Sequence, residues 1–208
     1  MLEIASNDLS INQSDSRRKR GVRTRARICS AARELFLNEG FNAVSVDQIA
    51  IAAGVGRSTL YSHFNDKNAI LAAICDDYLA SAVKVIEKLP GPRPSRRQID
   101  RWIAEFAEFV LQERVPSLLL IGTGIGMGFP PVMHQFAVSI MQAYARQLPA
   151  FAEAFESSEC VAHARAIAVL RELSWALVFH VEEQGSIRAA NMLEVAGDLL
   201  EQFIKGWF

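Results

Sequence analysis

SVDQIAIAAGVGRSTLYSHFNDK, Ser45 to Lys67, decides how the rest of this 208-residue chain is read. Ser45 and Gln48 have the S-x-x-Q spacing of a capping box, in which each side chain satisfies an amide of the other residue's backbone at a helix start. Val46, Ile49, Ala50 and Ala53 then fall at i, i+3, i+4 and i+7, the apolar face of a two-turn helix. Gly54 stands where a helix needs a residue of positive φ, so it predicts a stop and a tight turn. A second short helix follows, with Leu60 and Phe64, four apart, pointing to a core. Its other side carries Ser58, Thr59 and Ser62, with Tyr61 on the flank and Arg57 at the N-terminal end.

Helix, glycine turn and helix make a helix-turn-helix, whose second helix enters the major groove of DNA. An outer face of small hydroxyls, one arginine and one tyrosine suits phosphates and base edges; a solubilising face more often carries Glu and Lys. The shape alone also occurs as a packing motif without DNA. Upstream lies the densest basic cluster, Arg17-Arg18-Lys19-Arg20 with Arg23, Arg25 and Arg27. It reads either as a phosphate clamp or minor-groove arm, adding affinity without sequence information, or as a solvated helix start. His63 reads as a DNA-facing or a structural residue.

The wider pattern is Phe36-x-x-x-Gly40-Phe41, Ser45-Val46-x-x-Ile49-Ala50-x-x-Ala53-Gly54-Val55-x-x-x-Thr59-Leu60-Tyr61-x-His63-Phe64-x-x-Lys67-x-x-Ile70-Leu71. It resembles the DNA-binding domain of the TetR family of bacterial transcriptional regulators, over about Arg23 to Leu71. The resemblance implies a dimer of all-helical subunits, each with a variable C-terminal ligand-binding domain. It further implies that Thr59, Tyr61 and Lys67 meet the DNA backbone and that Arg57 and Ser58 read bases. Arg23, Arg25, Ser45 and His63 complete the expected DNA-facing set. Gly56 departs from the family's usual serine cap, a loss of only a few tenths of a kcal/mol.

Charge divides the chain. Ser16 to Lys67 holds ten Lys/Arg against four Asp/Glu, and Asn68 onward twelve against sixteen. The net −1 therefore conceals a basic head on an acidic body, which argues against a uniformly basic coating protein. Half of the residues are apolar, enough for one substantial core and a small appended domain. No apolar run approaches the ~18 residues of a membrane span, and the polar start SNDLSINQSDS is unlike a signal peptide. Cys29, Cys75 and Cys160 are scattered, without metal-ligand spacing, and suggest a reducing, cytoplasmic compartment. No metal and no cofactor are expected.

The fold class expected is all-α. A disordered tail over 1–20 precedes a helix-turn-helix domain over 21–67 and a helical ligand-binding and dimerisation domain over 68–208. Helix one is expected over Val22 to Asn38, with Ile28, Ala32, Leu35 and Phe36 inward. A long helix over Lys67 to Lys88 links head and body. Pro90-Gly91-Pro92-Arg93-Pro94 breaks the chain, and further helices are expected near 96–113, 117–126, 130–155, 158–184 and 188–206.

Three features of the body bear on function. Leu118-Leu119-Leu120-Ile121 runs into Gly122-x-Gly124-x-Gly126-x-Gly128, which suggests the glycine loop of a nucleotide-binding enzyme. The G-x-G-x-x-G spacing fails, and Phe129-Pro130-Pro131 follows instead of a helix start. Val161 to Val181 is apolar nearly all round, so one side suits the core and the other a twin subunit. Leu170, Leu177, Val195, Leu199, Leu200 and Phe203 are the interface candidates, against the alternative of plain core. Trp102, Phe106, Phe109, Met127, Phe129, Met133, Phe136, Met141, Tyr144, Trp175 and Phe179, with His134 or His180 as a polar anchor, could line an apolar pocket or simply fill the core. The function expected is a dimeric, ligand-responsive repressor, not an enzyme. Its partners are a near-palindromic double-stranded DNA operator and an apolar or aromatic small molecule. The rivals are the nucleotide-binding enzyme and a helical interaction module without DNA.

Overall fold

The computed structural model describes residues 3–112 and 131–206. Among them the chain is helical and no strand occurs. In chain order the helices are α1 (Glu3–Glu39), α2 (Val46–Ala52), α3 (Arg57–His63), α4 (Lys67–Ile86), α5 (Arg96–Gln112), α6 (Pro131–Gln147), α7 (Pro149–Phe155), α8 (Val161–Glu182) and α9 (Ile187–Lys205). None is long and apolar enough to cross a membrane. The glycine-rich Gly122–Gly128 segment, Met127, Phe129 and the helix expected near 117–126 lie outside the described residues.

Two compact units divide the chain, residues 1–74 and 75–208. The division falls inside α4, later than the boundary expected after Lys67, because Ile70, Leu71 and Ile74 of its first turns are buried with the first unit. Ile28, Ala32 and Phe36 of α1, Ile49 and Ala50 of α2, and Leu60 of α3 make up the rest of that core, closed by Val44, Ala53 and Phe64. Leu35, expected inward, is half-buried. α1 starts at Glu3, so the tail expected to be disordered over 1–20 is helical from there. Arg17 to Arg20 are exposed on it.

In the second unit α5 buries Ile99, Trp102, Ile103, Phe106, Ala107 and Val110, a regular helical stripe. The Trp102 indole donates from Nε1 to the Val85 carbonyl at 2.7 Å. The single helix expected over 130–155 is two. Pro149 lacks an N–H and drives the residue before it out of the helical region; Leu148 accordingly sits at φ −126°, ψ 112°. α9 runs close to α5 at Gly197, where a Cβ would come within 3.3 Å of Asp100 Oδ1 and Ile103 Cδ1. Arg96 locks that approach by pairing with Asp100 at 2.6 Å and with Asp198.

Candidate nucleic-acid interface

The first unit assembles its helices by local chemistry. Ser45 caps α2: its Oγ accepts from Gln48 N at 3.2 Å, and Gln48 Oε1 accepts from Ser45 N at 2.8 Å. Gly54, at φ 61°, ends it. Val55 N donates to Ala50 O and Gly54 N to Ile51 O, both at 3.0 Å, the paired bonds of a Schellman stop. Arg27 reaches over from α1 and donates from Nη2 to the Ala53 and Gly54 carbonyls at 2.5 and 3.1 Å. The turn is therefore fixed from both the backbone and a side chain. Gly56 caps α3 at φ −68°, ψ 150° without a side-chain bond.

α3 turns Leu60 inward and leaves Arg57, Ser58, Thr59, Tyr61 and Ser62 exposed. Ser62 Oγ donates to the Thr59 carbonyl at 2.7 Å. Arg57 Nε lies 3.2 Å from Asp47 Oδ1 on α2, with the guanidinium carbon 5.8 Å from the centre of the Tyr61 ring. A hydrogen bond with Tyr61 and then the Asp47 carboxylate raise the Arg57 guanidinium further above its ordinary range. Arg57 is thus a permanent cation on an open face.

The remaining expected contacts divide. Arg23 is exposed, and Ser45 is exposed beyond its capping role. Arg25 donates to the His63 carbonyl at 3.3 Å, its guanidinium 4.3 Å over the Phe64 ring; His63 itself is half-buried. Lys67 Nζ donates to the carbonyls of Phe41 (2.5 Å), Val44 (2.8 Å) and Asn42 (3.4 Å) and lies 4.4 Å over the Phe41 ring. An ammonium has three N–H donors. All three meet protein carbonyls, so Lys67 clips the loop after α1 to the start of α4.

Of the expected pocket residues, Trp102, Phe106, Phe109 and Tyr144 form one packed aromatic cluster with Tyr78 and Phe136, ring centres 5.4 to 6.1 Å apart. Met133 is buried, its sulfur 3.9 Å from Cys75 Sγ. His134 is exposed. Trp175 and Phe179 make a separate pair 6.2 Å apart on α8, with Arg188 4.5 Å over Phe179. A groove of about 330 Å³ is lined instead by Arg96, Asp100, Ile103, Ala104, Leu193 and Glu194, none of them expected there. Burial pushes the Cys75 thiol up to about 12, helped by Asp76, so it is no reactive thiolate.

The interface candidates divide. Leu170, Leu177, Leu200 and Phe203 are already buried within one protomer, Phe203 packing on Phe151 with ring centres 4.7 Å apart. They belong to its core, because α8 and α9 turn their most regular apolar stripes towards each other. Only Val195 and half-buried Leu199 retain surface, beside exposed Val161, Trp175 and Ile187.

A capped helix, a Schellman turn and a short polar-faced helix define a helix-turn-helix domain. The family described as bacterial regulatory proteins, tetR family, matches over residues 28–74, and this helix-turn-helix domain is of that family. The chain is 40% identical over 80 residues to the HTH-type transcriptional regulator YdeS of Bacillus subtilis, covering 38% of this chain and 37% of that protein. Over 51 residues it is 47% identical to the regulator SrpR of Pseudomonas putida, 24% of each. The chain thus spans well under half the length of these curated relatives. In fold it is similar to the transcriptional regulator FadR of Bacillus subtilis, solved in complex with stearoyl-CoA. That likeness has a TM-score of 0.59 and 15% identity, over 87% of this chain and 98% of that one.

Proposed function

We propose that this protein is a sequence-specific DNA-binding transcriptional regulator that acts as a homodimeric repressor and is released by an apolar small molecule. The observation that carries the DNA reading is α3. Its core side is closed by Leu60, and its other side offers Arg57, Ser58, Thr59 and Tyr61 to a groove. The exposed Arg17 to Arg20 run supplies sequence-independent phosphate attraction. Dimerisation is supported by large apolar side chains left exposed on α8 and α9: Val161, Trp175, Ile187 and Val195. A two-fold dimer presents its two reading helices about one DNA turn, roughly 34 Å, apart and selects a near-palindromic site.

The effector reading is supported by the aromatic cluster of the second unit and by the acyl-CoA held in the FadR complex of similar fold. α4 begins in the DNA unit and ends in the second, so its displacement is the proposed route of release. By linkage, the effector then binds the DNA-free conformation more tightly than the DNA-bound one. The test is selection of fragments of the source genome by the purified protein at about physiological salt, where non-specific binding is weak. Enrichment of a few near-palindromic sites is expected. A folded protein that enriches none contradicts the proposal.

A further inference from the structure

Among the described residues, Arg57 is a base-reading candidate that already carries a carboxylate partner. Asp47 belongs to the first turn of α2, Arg57 is the first residue of α3, and the two are joined across the turn at 3.2 Å. Their side chains are 54% and 67% exposed, and an ion pair so open to water adds little to stability. Its effect lies in where it holds the guanidinium. Arginine presents five N–H groups in a planar fork. Engaging Nε on Asp47 leaves the terminal Nη1/Nη2 edge with its parallel N–H groups, the geometry that meets O6 and N7 of a guanine. Tyr61, one turn along α3, flanks the guanidinium at 5.8 Å. A long, rotamer-rich side chain held from two sides has less freedom to lose on binding.

We propose that Asp47 is a positioning residue that aims Arg57 end-on at a guanine, so that the Asp47–Arg57 pair sets the choice of one G·C pair in each half-site. This rests on the DNA-binding reading above. Asp47 is also a negative charge beside an expected polyanion partner, so it opposes general affinity while sharpening selection. A residue that merely supported the fold would weaken both together.

The test is selection from a pool of randomised duplexes by the full-length protein at about physiological salt. It compares wild type with Asp47→Ala, Asp47→Asn, Arg57→Ala and the Asp47→Ala/Arg57→Ala double variant. Wild type is expected to select guanine at one position per half-site. Asp47→Ala should reduce that preference roughly 5- to 100-fold, leave the other positions unchanged, and bind unrelated duplex as well as wild type or better. Asp47→Asn keeps an acceptor for Nε and should fall between; it carries the test if Asp47→Ala proves unstable. The double variant should be no less selective than Arg57→Ala alone, as for two residues acting as one unit. Retained guanine preference in both Asp47 variants, when Arg57→Ala abolishes it, overturns the proposal. So does relaxation at a different position, which would mean that Asp47 reads its own base. A wild-type protein that selects no sequence overturns the DNA reading itself, and is distinguished because the failure precedes any substitution.

Discussion

At the scale of single residues, Arg27 and Lys67 do different work from Arg57, which faces out. Arg27 and Lys67 end on backbone carbonyls, whereas Arg57 stays in solvent against Asp47. Sequence counts all three alike, because a cation that fastens a loop and one that faces outward are the same residue types. The capping box at Ser45 and the positive φ of Gly54 were legible, since each is dictated by chain-local geometry. The Asp47–Arg57 pair was not, because ten positions of separation show no contact until the turn is folded. Lys67→Met should lower unfolding stability by about 2 kcal/mol, the scale of hydrogen bonds to a charged group. The salt dependence of DNA binding should be unchanged. Urea unfolding and a salt titration check both, and a slope reduced by about one would mean that Lys67 meets a phosphate.

At the scale of elements, periodicity located most helices and punctuation most of their ends; the start of α1, at Glu3 and not Val22, and the break at Pro149 are the exceptions. Pro149 ends α6, but in the sequence apolar residues stand on both sides of it, so periodicity alone runs through. The helical stripe of α9 was legible, yet stripe alone does not say whether a face meets its own protomer or a twin; Leu200 and Phe203 proved to be core. The ring cluster joining α4, α5 and α6 leads to a pH dependence. Burial raises the tyrosine hydroxyls of Tyr78 and Tyr144, the latter also through Tyr78, and the Cys75 thiol to about 12. Raised acids keep their protons longer in the folded than in the unfolded chain. Stability from this source is therefore complete below the unfolded values and lost as pH rises, from roughly 8.5 for the thiol and about 10 for the tyrosines. Urea unfolding between pH 7 and 11.5 should show this decline, and Tyr78→Phe should flatten its part above pH 10. An equal slope in both proteins would contradict it.

At the scale of the molecule, the charge division sets a basic head against an acidic body in the sequence, while the proline-rich break over Pro90 to Pro94 falls inside the second unit and not between the two. The unit boundary fell within α4 because its first turns are apolar enough to join the head's core. Whether the body binds a ligand was not legible, since aromatic side chains look the same in a pocket wall and in a packed core. Discrimination of DNA sequence by α3 through Arg57 is the expectation on which the rest depends. Its most direct test is titration of the wild-type protein and Arg57→Ala against a selected site and a scrambled duplex of equal length, at about physiological salt. Wild type is expected to prefer the selected site by about 10³-fold or more. Arg57→Ala should lose roughly 5- to 100-fold of that ratio while binding the scrambled duplex little changed. Equal affinity of the wild-type protein for both duplexes would contradict sequence reading by α3.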